Sequence, residues 1–295
     1  MELRQLRYFL KAKEVLNFTE AAHQLYISQS TLSQQIKQLE DELGIPLFNR
    51  IGKRITITEA GRVFGEYAKK SLLKSQEGLL ALRDLKELKS GELTIGVTYG
   101  LRSTLIKALI QFSASYPEVK INIVFGTTSE LMEKLHHVQL DFALTFAKGT
   151  REQLFTYIPL FSSPMTLVVS KGSKFAGKES ITLKEIIGLP LAMPTKGYST
   201  TKFVMKAFET SGLKPDVLIE INDVAALLEV VKSGNWCTVL TQTTAMDQDQ
   251  LVTIPIRGKN MVRTAMFVSL KDAYEKKSAK VFFDLLQVNQ LKDLP

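Results

Sequence analysis

Four polar side chains at helical spacing offer the first chemistry in this sequence. Ser30, Gln34 and Lys37 fall on one side of the segment 28–43, with Ser33 on its shoulder. Leu32, Ile36, Leu39 and Leu43 fall on the opposite side. A short polar helix face can enter a major groove and read base edges: glutamine pairs bidentately with adenine, and serine with several partners. A solvated helix face has the same composition, so its neighbours must decide. Arg50, Lys53 and Arg54 crowd together between two strand-like runs, Leu47–Arg50 and Arg54–Ile57. Basic groups at a hairpin tip suit phosphate, which positions a protein on a duplex without reading its sequence.

The elements that must hold these groups are legible on either side. Leu3, Leu6, Phe9 and Leu10 predict an amphipathic helix over 3–16. Thr19 is the expected N-cap of a short Ala-rich helix containing Ala21 and Ala22, and Ser28 that of the helix running to Leu43. Gly44 and Pro46 then stop the chain. Helix, tight turn, helix and basic hairpin make a winged helix-turn-helix. Thr58 caps a long helix over 59–88, whose stripe of Ala60, Phe64, Tyr67, Leu72, Leu79, Leu82, Leu85 and Leu88 has no expected partner in its own domain. A second copy of that helix is the natural cover.

The run FTEAAHQLYISQSTLSQQIKQLEDELGIPLFNR, followed by ITEAG, resembles the signature of LysR-type transcriptional regulators. The resemblance extends over about sixty residues at many fixed spacings. Three positions depart from it: Ser30 and Thr31 replace a usual Pro and Ala or Ser, and Lys53 replaces a common wing Arg. Taken with the polar face, it implies DNA contacts from Gln29, Ser30, Thr31, Ser33, Gln34, Lys37, Arg50, Lys53 and Arg54. It also implies a homodimer through the linker helix, assembling into a homotetramer.

Beyond residue 91, strands and helices alternate: 92–97, 103–116, 119–125, 129–138 and 142–146. The order returns at 191–193, 200–211, 217–221, 224–232 and 238–240. Two strand-like runs, 155–161 and 165–169, are expected to cross between these lobes. The segment 263–270 and a helix over 278–291 are expected to return and complete the first lobe. The predicted fold class is therefore α/β: an N-terminal winged helix-turn-helix, a long linker helix and a two-lobed α/β domain. The expected divisions are 1–58 for DNA, 59–90 for dimerisation and 91–295 for ligand. Lobe one takes about 91–161 and 266–295, and lobe two about 162–265.

Ligands of open α/β sheets bind beyond the carboxyl ends of the strands. Hydroxyls gather there: Thr98, Ser103 and Thr104; Thr127, Thr128 and Ser129; and Thr195, Tyr198, Ser199, Thr200 and Thr201. Plain helix capping explains any one of them, but their clustering on both sides of one cleft favours a ligand. SELMEKLHHVQLDFALT and SGNWCTVLTQ resemble the family's effector-binding domain, whose two lobes are like those of periplasmic solute-binding proteins. That resemblance adds Tyr99, Gly100 and Phe146 to the effector set. Arg102, Lys148 and Lys196 hint at an acidic metabolite.

Composition narrows the alternatives. The chain has 295 residues, a formal net charge of +8, three histidines and one cysteine, Cys237. A lone cysteine excludes an intramolecular disulfide framework and a multi-cysteine zinc site. His136 and His137 are adjacent and share no helix face, so no metal site is expected. No P-loop, GxGxxG or nucleophile elbow occurs, so neither a catalytic residue nor a cofactor is expected. Oxidation of Cys237 to a sulfenic acid stays open as a signal. The absence of a long apolar run and of a signal peptide predicts no membrane partner and a cytoplasmic location. A rival reading is a solute-binding or enzymatic protein whose N-terminal module only oligomerises. Operator DNA and a small-molecule effector remain the expected partners.

Overall fold

The computed structural model describes residues 1–51, 54–84, 91–146, 152–271 and 273–292. It divides into two compact units, Met1–Leu85 and Lys86–Pro295.

In the first unit, α1 (Leu3–Val15), α2 (Phe18–Gln24) and α3 (Gln29–Leu43) precede a hairpin of β1 (Phe48–Ile51) and β2 (Arg54–Ile57), and α4 (Glu59–Asp84) follows. Leu32, Ile36 and Leu39 of α3 are fully buried beside Phe9, Ala21 and Leu47. Each such side chain contributes about 2–3 kcal/mol on leaving water. Ser28 caps α3 by accepting from the Thr31 amide at 3.1 Å, and Gly44 ends it at φ 70°. That left-handed turn costs glycine no Cβ clash.

Two expectations need correction here. The cap of α2 is Asn17, not Thr19: its Oδ1 accepts from the amides of Thr19 (3.0 Å) and Glu20 (3.2 Å). Helix formation thus begins at Phe18, whose ring enters the core. The long helix also has a partner in its own unit. Ala68 is buried, and Ala60, Phe64 and Leu72 pack on the same cluster, with the Phe64 ring 5.3 Å from that of Phe9. The recurrence every four residues puts this half of the stripe on one face, where α1 covers it. Val63, Tyr67, Leu79 and Leu82 stay exposed. The expected continuation of the helix to Leu88 lies outside the described residues.

The second unit begins with β3 (Gly91–Val97), a single 3-10 turn, α5 (Arg102–Ser115), β4 (Val119–Phe125), α6 (Thr128–His136) and β5 (Phe142–Thr145). Strand β3 lies parallel between β4 and β5, as the βαβαβ alternation requires. Next come β6 (Phe155–Ser170), β7 (Ile181–Thr182), α7 (Leu183–Ile186), β8 (Leu191–Pro194), α8 (Ser199–Thr210), β9 (Val217–Ile221), α9 (Val224–Lys232), β10 (Thr238–Thr241) and α10 (Gln242–Ala245). The chain closes with β11 (Leu251–Arg257), β12 (Val262–Leu270) and α11 (Lys277–Lys292).

The two expected crossing runs form one continuous strand, β6. Ser162, Ser163 and Pro164, which separate them in sequence, stay paired with Thr264, Arg263 and Val262 of β12. The first half of β6 lies beside β12 against lobe one, and its second half pairs with β10 and β11 in lobe two. The antiparallel pair β6–β12 is therefore the bridge between lobes. Each lobe keeps its own core, one around Phe112, Phe142 and Phe282, the other around Leu167, Phe208 and Val239.

Candidate functional site

On α3, Gln29, Ser30, Thr31, Gln34 and Lys37 are exposed and Ser33 is half-buried. The Ser30 and Thr31 hydroxyls each lie 2.8 Å from Ser28 Oγ, so the cap orients both. Glu40, on the inner flank of the helix, accepts from the amides of Leu47 (2.8 Å) and Phe48 (3.0 Å). This carboxylate fixes the start of the hairpin against α3. Arg50 and Arg54 belong to paired strand backbone, opposite Ile55 and Ile51. Their side chains, and the whole of Lys53, lie outside the described residues.

In the second unit, the expected effector residues separate into three groups. Tyr99 stacks on Phe125 at 5.1 Å and also packs against the lobe-two cluster of Val224 and Leu228. Beside it, the Gly100 carbonyl accepts from Thr243 Oγ1 at 2.9 Å. A Cβ at Gly100 would stand 2.9 Å from the Phe146 ring and 3.1 Å from Thr244 Oγ1. The lobes thus touch at the 98–100 loop. The Thr98 amide donates to the Leu144 carbonyl at 3.0 Å, and Ser103 and Thr104 are half-buried at the start of α5.

A second group is engaged in local structure. Thr127 caps α6 in a reciprocal box with Glu130, holding that carboxyl below its ordinary range. Thr201 is buried and donates to the Pro194 carbonyl at 2.8 Å. Thr195 takes the Ile221 carbonyl through its amide, and the Tyr198 hydroxyl donates to the Asn222 carbonyl.

Thr128, Phe146, Ser199 and Thr200 form the third group, and they gather around a residue the sequence reading passed over. Arg263 on β12 is only 3% exposed. Its Nη1 donates to Thr200 Oγ1 (3.0 Å) and Ser199 Oγ (3.2 Å), and its Nη2 to the Phe146 carbonyl (2.6 Å). The guanidinium also lies over the rings of Phe146 (5.1 Å) and Phe203 (5.5 Å). Burial pulls its pKa down to about 10, so it stays charged at neutral pH. Thr128 completes the cluster, its hydroxyl 2.7 Å from Thr145 and 3.2 Å from Ser199.

Thr128, Phe146, Ser199 and Arg263 of this cluster stand in the wall of an open cleft of about 1430 Å³ between α6, α8 and the bridging strands. Met132, Phe146, Phe203 and Met261 supply apolar walls, and Glu133, Lys202 and Lys206 are polar groups on it. Of the basic residues first suspected, Arg102 and Lys196 are exposed and do not line it, and Lys148 lies outside the described residues. A signal for Arg263 did exist, as a lone cation within the apolar strand run 261–268.

Cys237 is buried, its Sγ 3.5 Å from the Pro190 carbonyl. Burial pushes its thiol up to about 12, which leaves negligible thiolate for oxidation at neutral pH. Among the described residues no group of three or more His, Cys, Asp or Glu could hold a metal. No described helix is long and apolar enough to cross a membrane.

Comparison with known proteins accords with both units. The family model of the LysR substrate binding domain matches residues 86–290. That of bacterial regulatory helix-turn-helix proteins, lysR family, matches residues 3–62. The HTH-type transcriptional regulator BsdA of Bacillus subtilis (strain 168) is 31% identical over 290 residues, covering 97% of this chain and 100% of that protein. CysB of Haemophilus influenzae is 30% identical over 272 residues, covering 90% and 83%. Among solved structures, a full-length OxyR variant from Pseudomonas aeruginosa aligns with a TM-score of 0.71 at 23% identity, covering 98% and 95%. Full-length CbnR complexed with its target DNA aligns at 0.57 and 21%, covering 98% and 99%. At such identities the structures speak for the fold, while the family models and the curated relatives carry the assignment. The chain belongs to the LysR family of transcriptional regulators.

Proposed function

We propose that this regulator lays α3 in the major groove of operator DNA, with Ser30, Ser33, Gln34 and Lys37 toward the bases and Gln29 and Thr31 at the backbone. Arg50, Lys53 and Arg54 grip phosphate from the hairpin. The observation that carries this reading is the division of α3 itself. Leu32, Ile36 and Leu39 are fully buried while Gln34 and Lys37 are exposed. CbnR, a relative in fold, was solved on its target DNA. The working division of the chain stays 1–58 for DNA, 59–90 for dimerisation and 91–295 for ligand. Val63, Tyr67, Leu79 and Leu82, exposed along α4, support pairing of two copies through that helix, with a tetramer as the full assembly.

In this reading a small molecule enters the cleft of the second unit and shifts the two lobes about the β6–β12 bridge. Differential affinity for the two lobe arrangements is what couples ligand to DNA. The protein acts in the cytoplasm and catalyses no reaction. The experiment is binding of the full chain to its own promoter region across a salt series. Affinity is expected to fall steeply with salt, because each neutralised phosphate releases counterions. Binding that ignores salt and sequence would overturn the reading.

A further inference from the structure

We propose that Tyr26, in the turn between α2 and α3, is a DNA-backbone contact: its ring lies along a deoxyribose and its hydroxyl donates to the adjacent phosphate, at the edge of the groove that holds α3. This rests on the reading of α3 as the DNA-reading helix and adds a residue that seats that helix.

Three observations point to this residue. The first is exposure. Tyr26 is 95% exposed, more than any other large apolar or aromatic side chain among the described residues. Its hydroxyl has no hydrogen-bond partner among them. A lone exposed aromatic is ordinary, so exposure by itself decides nothing.

The second is the backbone. Tyr26 holds φ 55°, in the left-handed region that glycine and asparagine enter readily and a bulky side chain does not. Leu16 and Val138 also stand just past helices at φ 51° and 57°. They are 43% and 41% exposed, so each has more than half of its surface covered. Tyr26 bears the same backbone cost with almost nothing covered. Glycine or asparagine would suit the fold of this turn better, and an outlier that the fold does not reward points to function.

The third is position. Leu25 and Ile27, on either side, pack on the core of the first unit, so the ring between them turns outward. The Tyr26 amide donates to the His23 carbonyl at 3.1 Å and the Ile27 amide to that of Ala22 at 3.0 Å, which closes the turn and fixes its direction. Tyr26 stands two residues ahead of the Ser28 cap, hence within about 7 Å of it. A helix about 10–12 Å across fills a major groove about 12 Å wide. The chain leading into its first turn therefore passes the wall of the groove, which is sugar and phosphate. Tyrosine suits both, with an apolar ring for the deoxyribose and a hydroxyl donor for the phosphate oxygen.

The test uses the full-length chain on its promoter DNA. The parent, Tyr26→Phe and Tyr26→Gly are compared by binding across a salt series, ethylation interference and thermal melting. Tyr26→Phe is expected to weaken binding about three- to tenfold, the value of one hydrogen bond to a charged acceptor. Tyr26→Gly, which loses the ring as well, is expected to weaken it about ten- to thirtyfold. Operator preference and salt slope are expected to stay as in the parent, because the lost contact is neutral and reads no base. The melting temperature of Tyr26→Gly is expected to hold or rise, since glycine takes this φ without strain. Ethylation of one phosphate beside each half-site is expected to inhibit the parent and not Tyr26→Gly. Parental affinity in both variants, an unchanged interference pattern, or a lower melting temperature in Tyr26→Gly would overturn the proposal. Tyr26→Phe keeps the ring and the turn, so parental affinity in that variant alone would overturn the phosphate contact. Promoter activity lost in cells while DNA affinity stands would give the ring to a protein partner and overturn the proposal too. A parent that binds the promoter, matched by its variants, removes this inference alone. A parent that does not bind removes the operator reading and this inference with it.

Discussion

The Thr128 hydroxyl lies 3.2 Å from that of Ser199, 71 residues further along the chain, and the two open α6 of lobe one and α8 of lobe two. Thr128 also bonds Thr145, which is fully buried. Thr128→Val keeps the shape but removes the hydrogen bonds to both neighbours. A buried hydroxyl left without its partner costs about 1–3 kcal/mol. The urea midpoint of the variant should fall accordingly, with an unchanged slope. A midpoint equal to that of the parent would mean that the contact contributes nothing to holding the lobes.

On α3, two substitutions should fail differently. Gln34→Ala removes a bidentate base reader and should relax preference at one operator position by about 1–3 kcal/mol. Lys37→Ala removes a charge. Beyond relaxing preference at the base it faces, that loss should weaken binding to all sequences and lower the salt slope by at most about one. Selection from a randomised operator library, at two salt concentrations, distinguishes the two. Identical sequence logos for parent and Gln34→Ala would remove Gln34 from the reading face.

What was legible beforehand follows the range of the interaction. The leucine stripe of α3, its Ser28 cap and its Gly44 stop are decided within a few residues, so periodicity and capping rules read them directly. The alternation of strands and helices likewise announced two lobes. Asn17 lost out to Thr19 in the reading because both can cap, and only the entry of the Phe18 ring into the core selects between them. The cover of α4 by α1 was missed because it joins Phe64 to Phe9 across the whole first unit. Arg263 was missed for the same reason. Its partners stand at 146, 199 and 200, and nothing near it in sequence explains a cation in a buried strand.

Lobe one is closed by an ion pair of equally long range. Lys276 Nζ lies 2.8 Å from Asp141 Oδ1 and also donates to the Glu92 carbonyl at 2.7 Å, just ahead of α11. Asp141 Oδ2 in turn accepts from the Thr94 amide at 2.8 Å. The side chains are 16% and 20% exposed, so screening is limited. Lys276→Met strands the carboxylate and should cost about 2–3 kcal/mol, somewhat less than for a fully buried pair. Restoring neutrality with Asp141→Asn in the same chain should recover part of that loss. The double-mutant cycle by chemical denaturation gives the coupling, and a value near zero would show that α11 is held by its apolar face alone.

Cys237 allows a prediction about what does not signal. Its thiol is buried and pushed up to about 12 by loss of hydration. In the folded state the protonated form is favoured, while the unfolded chain ionises near the ordinary value of about 9. The contribution to stability is therefore complete below pH 9 and is lost as pH rises from there toward 12. At pH 8 a thiol reagent should label the native protein far more slowly than the denatured one, at a rate set by opening of the β8–β10 region. Hydrogen peroxide at low concentration should leave DNA binding unchanged, and Cys237→Ala should leave it unchanged as well. Rapid native labelling with a burst at neutral pH would mean an accessible thiolate, and the redox role set aside on grounds of burial would then have to be restored.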